Sequence, residues 1–137
     1  MVHALQEIHR VLVDAGHLID MRPLSGNWPL DIVAGEQVTA IGPVDDSQGV
    51  MVDATASSAI ASAVQKGRFA LEHTEFFDIY YYWDTLADMQ HYAEEHWKPE
   101  IILPVPLLEQ ARQTLSQQPQ SVLRIRLNML LSIYRKT

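Results

Sequence analysis

The segment His91-Tyr92-Ala93-Glu94-Glu95-His96-Trp97 gathers two imidazoles and two carboxylates, the residue types that hold zinc. On a helix His91 and Glu95 share a face at spacing four, but His96 points elsewhere and the string is not H-E-x-x-H, so it reads as a solvated helix face. His73 and Glu75 lie two apart in a β-run and interrupt its apolar side. A polar group on a core face needs a partner, and the pair reads as structural before it reads as an acid–base couple. Tyr80-Tyr81-Tyr82-Trp83 puts aromatic groups on both faces of a strand end, which suits a core plus a subunit contact. The rival reading is a small-molecule pocket completed by Arg22 and Trp28, because ligands of α/β sheets sit beyond the carboxyl ends of strands. The candidate ligand-binding residues are therefore Arg22, Trp28, His73, Tyr80 and Tyr82, with Asp20 a weaker addition. No Ser-His-Asp arrangement, phosphate loop or paired-carboxylate spacing stands out, and no residue is assigned a catalytic or metal-binding role.

The elements that must position these groups belong to one domain, residues 1–137, long enough to bury a core. Apolar residues at 47% and charged residues at 20% give the balance of a folded protein, not a disordered one. With no cysteine, disulfides, thiolate catalysis and cysteine-ligated zinc are excluded. Ten Lys and Arg against seventeen Asp and Glu leave a net charge of −7, which argues against nucleic acid and anionic lipid as partners. The start lacks the build of a signal peptide and no apolar run is long enough to span a membrane, so a cytoplasmic location is expected. Acidic residues crowd into 72–100, whereas from 110 onward there are basic residues and no acid.

Leu5, Ile8 and Leu12 repeat at helical spacing; Gly16 is placed to close that helix with a positive φ, and 17–21 reads as a strand ended by Pro23. An irregular loop at 22–29 leads to a hairpin of two short strands around Ala34-Gly35-Glu36, expected to project from the main sheet. Residues 45–49 read as loop, followed by a helix of small residues from about 55 to 66. The strand at 68–83 carries Phe69, Leu71, Phe77, Ile79, Tyr81 and Trp83 on one face, and its length implies a bend or bulge near 73–75. Thr85-Leu86-Ala87-Asp88 resembles a capping box and opens a helix to about Trp97; Pro106 suits the first turn of another helix to about Gln117. Leu123, Ile125, Leu127, Met129, Leu131 and Ile133 alternate strictly, marking a final strand on the core. Pairing this strand antiparallel with 68–83 sets apolar against apolar, and Arg124 and Arg126 against Glu72 and Asp78.

The stretch Glu7, Arg10, Val11, Leu12, Gly16 and Leu18 resembles the E-x-x-R-V-L-x-x-G-G-x-L segment of class I S-adenosylmethionine-dependent methyltransferases, with Ala15 in place of the first glycine. In that family the segment is the helix before the fifth strand and that strand itself. The resemblance implies an α/β fold: the carboxyl-terminal half of such an enzyme, a truncated mixed sheet with local strand order 5-7-6, an extra β-hairpin and flanking helices. The family's cofactor site lies in the amino-terminal half. No two glycines here are separated by a single residue, so no G-x-G turn exists and the isolated chain is expected to hold no cofactor. S-adenosylmethionine enters only if a separate amino-terminal half is supplied.

The resulting expectation is a non-catalytic or residual methyltransferase-like domain acting as a binding or oligomerisation module. Two rivals are a fragment or subunit of a small-molecule methyltransferase and a small-molecule binding protein that uses an aromatic pocket. A sheet cut before its fifth strand leaves 17–21 as a raw edge and the first helix without a neighbour. A homodimer through both is therefore expected.

Overall fold

The computed structural model describes every residue except Met1, Asn27 and Lys98, and of Val2 only the backbone. Asn27, part of the expected irregular loop, thus lies outside the described residues. The described chain runs α1 (Val2–Val11), β1 (His17–Pro23), β2 (Pro29–Ala34), β3 (Gln37–Pro43), α2 (Ser47–Gln65), β4 (Phe69–Trp83), α3 (Leu86–His96), α4 (Val105–Gln117) and β5 (Val122–Lys136). The fold is α/β, with an open five-stranded sheet in which every pairing is antiparallel. The sheet is therefore not the mixed one expected.

The organising strand is β5. Along one side it pairs with β4 over nearly its full length, from Phe69 opposite Lys136 to Trp83 opposite Leu123. Along its other side β1 covers the carboxyl-terminal half, His17 opposite Arg135 to Pro23 opposite Met129, and β2 covers Val122 to Ile125. The last strand thus pairs antiparallel with 69–83, as its pattern suggests, and has β1 and β2 as further neighbours. The order β1-β5-β2-β3, with β4 branching from β5, is not that of the expected sheet. The hairpin does not project from the sheet: β2 joins β5 directly, and Leu30 and Ile32 are fully buried there.

Strict alternation along β5 explains where the helices go. Leu123, Ile125, Leu127 and Met129 point to one face and pack with Met89 of α3 and Leu107 and Ala111 of α4. Tyr134, on the opposite face, packs with Leu5, Ile8 and Leu12 of α1 and with Ala59, Ile60 and Ala63 of α2. The two helix pairs therefore cover opposite faces at opposite ends. This overturns the expectation that α1 lacks a neighbour, since Leu5 is 7% exposed against α2.

The bulge falls at Leu71/His73, with Glu72 as the extra residue. A bulge moves the strand's alternation by one. Phe69 accordingly joins the α1–α2 core, whereas Ile79, Tyr81 and Trp83 join the α3–α4 core, so they do not share one face. Two other boundaries move. Helix α2 starts at Ser47, because 47–54 continues the helix instead of forming a loop. At the close of α1 it is Ala15, not Gly16, that takes the positive φ, at 59°. Gly16 is needed for space: a Cβ there would lie 2.9 Å from the Val13 carbonyl oxygen. The capping of α3 is as its sequence suggests, with Asp88 N–H donating to Thr85 Oγ1 at 3.1 Å.

Candidate functional site

The loop 24–28 connects β1 to β2 and is fastened to the start of α2. Ser25 N–H donates to Asp53 Oδ2 at 2.7 Å and Gly26 N–H to Asp46 Oδ2 at 2.6 Å. Gly49 permits this approach, because a Cβ there would meet Ser25 Oγ at 2.1 Å. Trp28 Nε1 donates to the Leu24 carbonyl oxygen, which turns the indole inward until it is 5% exposed. On the far side, the connector between α3 and α4 is tied down by paired backbone bonds between Asp45 and Ile102. Between these fixed pieces opens a cavity of 590 Å³ bordered by both Arg22 and Trp28.

Arg22 projects from β1 toward α2. Its Nη1 donates to the Asp53 carbonyl oxygen at 3.1 Å and its Nη2 to Ser57 Oγ at 2.8 Å. Its Nε stands 3.3 Å from Asp20 Oδ1, and its Nη1 stands 3.7 Å from Asp53 Oδ1. The guanidinium is thus a clasp between sheet and helix, with one hydrogen bond from each Nη atom. Asp20 Oδ2 is buried without a hydrogen-bond partner. Asp53, Ser57 and Asp46 were not legible as members of this site; the seven-residue spacing of Asp46 and Asp53 is the one signal, and it needs the helix to begin at Ser47.

The remaining candidates lie elsewhere. Tyr80 and Tyr82 stand opposite Arg126 and Arg124 on the face of the sheet that Arg124 and Asp78 occupy, with ring centroids 6.4 Å apart and exposures of 45% and 55%. The Arg124 guanidinium lies 5.1 Å from the Tyr80 ring centroid and donates to Asp31 at 2.7 Å. That carboxylate raises the pKa of Arg124 above its ordinary value, against the opposing effect of burial. Tyr81 and Trp83 turn the other way, into a ring cluster with Tyr92 and Trp97. Burial, and then the Tyr81 hydroxyl, push the Tyr92 phenol up. The aromatic run therefore supplies core on one face and a solvated surface on the other.

His73 and Glu75 do pair, at 3.4 Å, but both are about half exposed and interrupt no core. His91 and Glu95 pair at 3.3 Å on an open helix face. Among the described residues no group of three or more His, Asp or Glu side chains is arranged to hold a metal. Of the five candidates, Arg22 and Trp28 come together, Tyr80 and Tyr82 form a separate patch, and His73 stands apart from both.

A second surface results from the offset of the helix pairs. On the face of α3 and α4, but beyond their reach, Ile19 lies opposite Ile133 and Met21 opposite Leu131, with Ile19 and Met21 61% and 62% exposed. Phe77, opposite Met129, extends the strip. The strip ends at a charged clasp in which Arg135 Nε donates to Glu72 Oε1 at 2.6 Å and His17 Nε2 lies 2.9 Å from Glu72 Oε2. Arg135 first, then His17, hold the Glu72 carboxyl below its ordinary pKa. Among the described residues, β1 has β5 as a strand neighbour and none on its other side.

Comparison with protein-family models finds none that matches the chain, and comparison with curated proteins finds no matching relative. Among the described residues no helix is long and apolar enough to cross a membrane.

Proposed function

We propose that this chain is a non-catalytic, methyltransferase-like module that works by binding and self-association, forming a homodimer along β1. The observation that carries this reading is the open edge of β1 beside the exposed pair Ile19 and Met21. An unpaired strand edge offers a row of backbone donors and acceptors to another strand. An apolar strip next to it adds a non-directional drive to association. Edge-to-edge pairing across a two-fold axis satisfies both at once, and closed two-fold symmetry is the commonest outcome for soluble oligomers. The role first given to α1 in the dimer is dropped, because that helix is already packed. The test is the mass in solution of the chain and of Ile19→Lys, which places a charge on the strip while leaving the two cores untouched.

A second reading, a subunit of a small-molecule methyltransferase completed by a separate polypeptide, draws on the same edge. It is favoured by the helix, turn and strand that carry Glu7, Arg10, Gly16 and Leu18, and by the position of β5 between β1 and β4. In this reading those three strands are the 5-7-6 portion of the family sheet, and the partner brings the G-x-G turn. Equilibrium dialysis with S-adenosylmethionine decides between the two. A self-associating module retains none, whereas stoichiometric retention on adding a polypeptide with a D/E-x-G-x-G turn favours the subunit.

A further inference from the structure

Helix α2 crosses the sheet on small side chains. Ala56 is buried, and Ser57 and Ala61, exposed, border a hollow that their short side chains do not fill. The 590 Å³ cavity lies on one side of it and a second, of 400 Å³, on the other; both are bordered by Asp20, Arg22 and Ile60. A volume of about 300–1,000 Å³ is the range of small-ligand sites.

The larger cavity has an apolar body and an acidic rim. Leu5, Trp28, Ile60, Trp97 and Ile101 supply apolar and aromatic wall. Among the described residues, three carboxylates, Asp20, Asp53 and Glu100, border it together with the Arg22 guanidinium and the His96 imidazole. The Arg22 charge is partly spent within the protein, since its Nη atoms donate to the Asp53 carbonyl oxygen and Ser57 and it faces the carboxylates of Asp20 and Asp53. Among the described residues the carboxylates outnumber it, with Asp20 Oδ2 and Arg22 Nε both closed off from solvent beneath the surface of the cavity. A negative ligand group meets net repulsion here, whereas a cation is drawn in and desolvated beside opposite charge.

We propose that this cavity is a binding site for a small cationic amphiphile, an apolar chain or ring bearing one ammonium group, with the ammonium toward Asp20 and Asp53. The site shares β1 with the proposed dimer edge through Asp20, Arg22 and Pro23, but its argument does not rest on self-association.

The test uses decylamine, 1-decanol and decanoate as probes of equal length, each below its aggregation concentration, followed by calorimetry and tryptophan fluorescence. Decylamine is expected to bind saturably at one per chain, about tenfold tighter than decanol, with decanoate weakest. Val52→Trp, at a 60% exposed position on the cavity's border, should weaken decylamine about tenfold without disturbing the core. Asp20→Asn should erase the preference for amine over alcohol; Glu100→Gln, on the exposed connector, should reduce it and serves if Asp20→Asn fails to fold. Decanoate binding as tightly as decylamine, no saturable amine binding, or unchanged affinity in Val52→Trp overturns the proposal.

Discussion

Arg124 donates to Asp31 at 2.7 Å across the seam where β2 joins β5, and both side chains are largely buried, at 19% and 10% exposure. The pair welds the hairpin to the central strand. Removing Asp31 leaves the partly buried Arg124 charge with only its contacts to Tyr80 and Tyr82, so Asp31→Ala should cost about 1–3 kcal/mol in urea denaturation. Adding Arg124→Met should return much of that loss, because the orphaned charge is then gone. Equal stability of the single and double variants would show that the pair, and not the stranded charge, carries the effect.

Glu72 gives the fold an acid-sensitive clasp. Its carboxyl, held below the ordinary value of 4.5 by Arg135 and His17, stabilises the folded state fully above that value. The stabilisation is lost as pH falls through the lower folded-state value. Glu72→Gln should therefore be less stable than the parent at neutral pH and show a shallower decline of melting temperature on acidification below about pH 4.5. Parallel profiles for the two proteins would remove Glu72 from the acid response.

The last strand is the stability centre. Leu127, 3% exposed and packed in the α3–α4 core, should cost about 2–5 kcal/mol when changed to Ala, through lost transfer energy and a residual cavity. Chemical denaturation of Leu127→Ala measures it directly. A midpoint equal to the parent's would take the strand out of the core.

The turn after α1 holds a non-glycine residue in a left-handed conformation beside a glycine that is not. Ala15, at φ 59°, carries a steric cost of about 1–2 kcal/mol that glycine would not. Ala15→Gly should leave the melting temperature unchanged or slightly higher. Gly16→Ala should lower it, because the new Cβ would collide with the Val13 carbonyl oxygen. Thermal unfolding of the two variants in opposite order would contradict this account of the turn.

Much of the fold was legible because its signals are local. The helix–turn–strand at the start, the Thr85 cap and Pro106 in the first turn of α4 depend on residues near one another, and the antiparallel match of the last two long strands depends on alternation that is unbroken from His73 to Trp83. What escaped depends on contacts distant in sequence. Glu72 shifts the alternation of β4, so Phe69 and Tyr81, read from sequence as one face, enter different cores. The first turns of α2 looked like loop because Gly49 and its aspartates are there to receive Ser25 and Gly26. Arg22 and Trp28 border one cavity because few residues separate them in the chain. Tyr80, Tyr82 and His73 do not join them, since β4 spans the length of the sheet and delivers its residues to separate surfaces.

The most direct test of the proposed self-association is light scattering at micromolar concentration, run on the parent, on Ile19→Lys and on the surface control Gln113→Lys. The parent and the control should each report about twice the 15.5 kDa chain mass, and Ile19→Lys should shift toward the single chain while keeping the parent's circular dichroism spectrum. A parent that remains at 15.5 kDa across the concentration range would contradict the claim that β1 is an edge built to be paired.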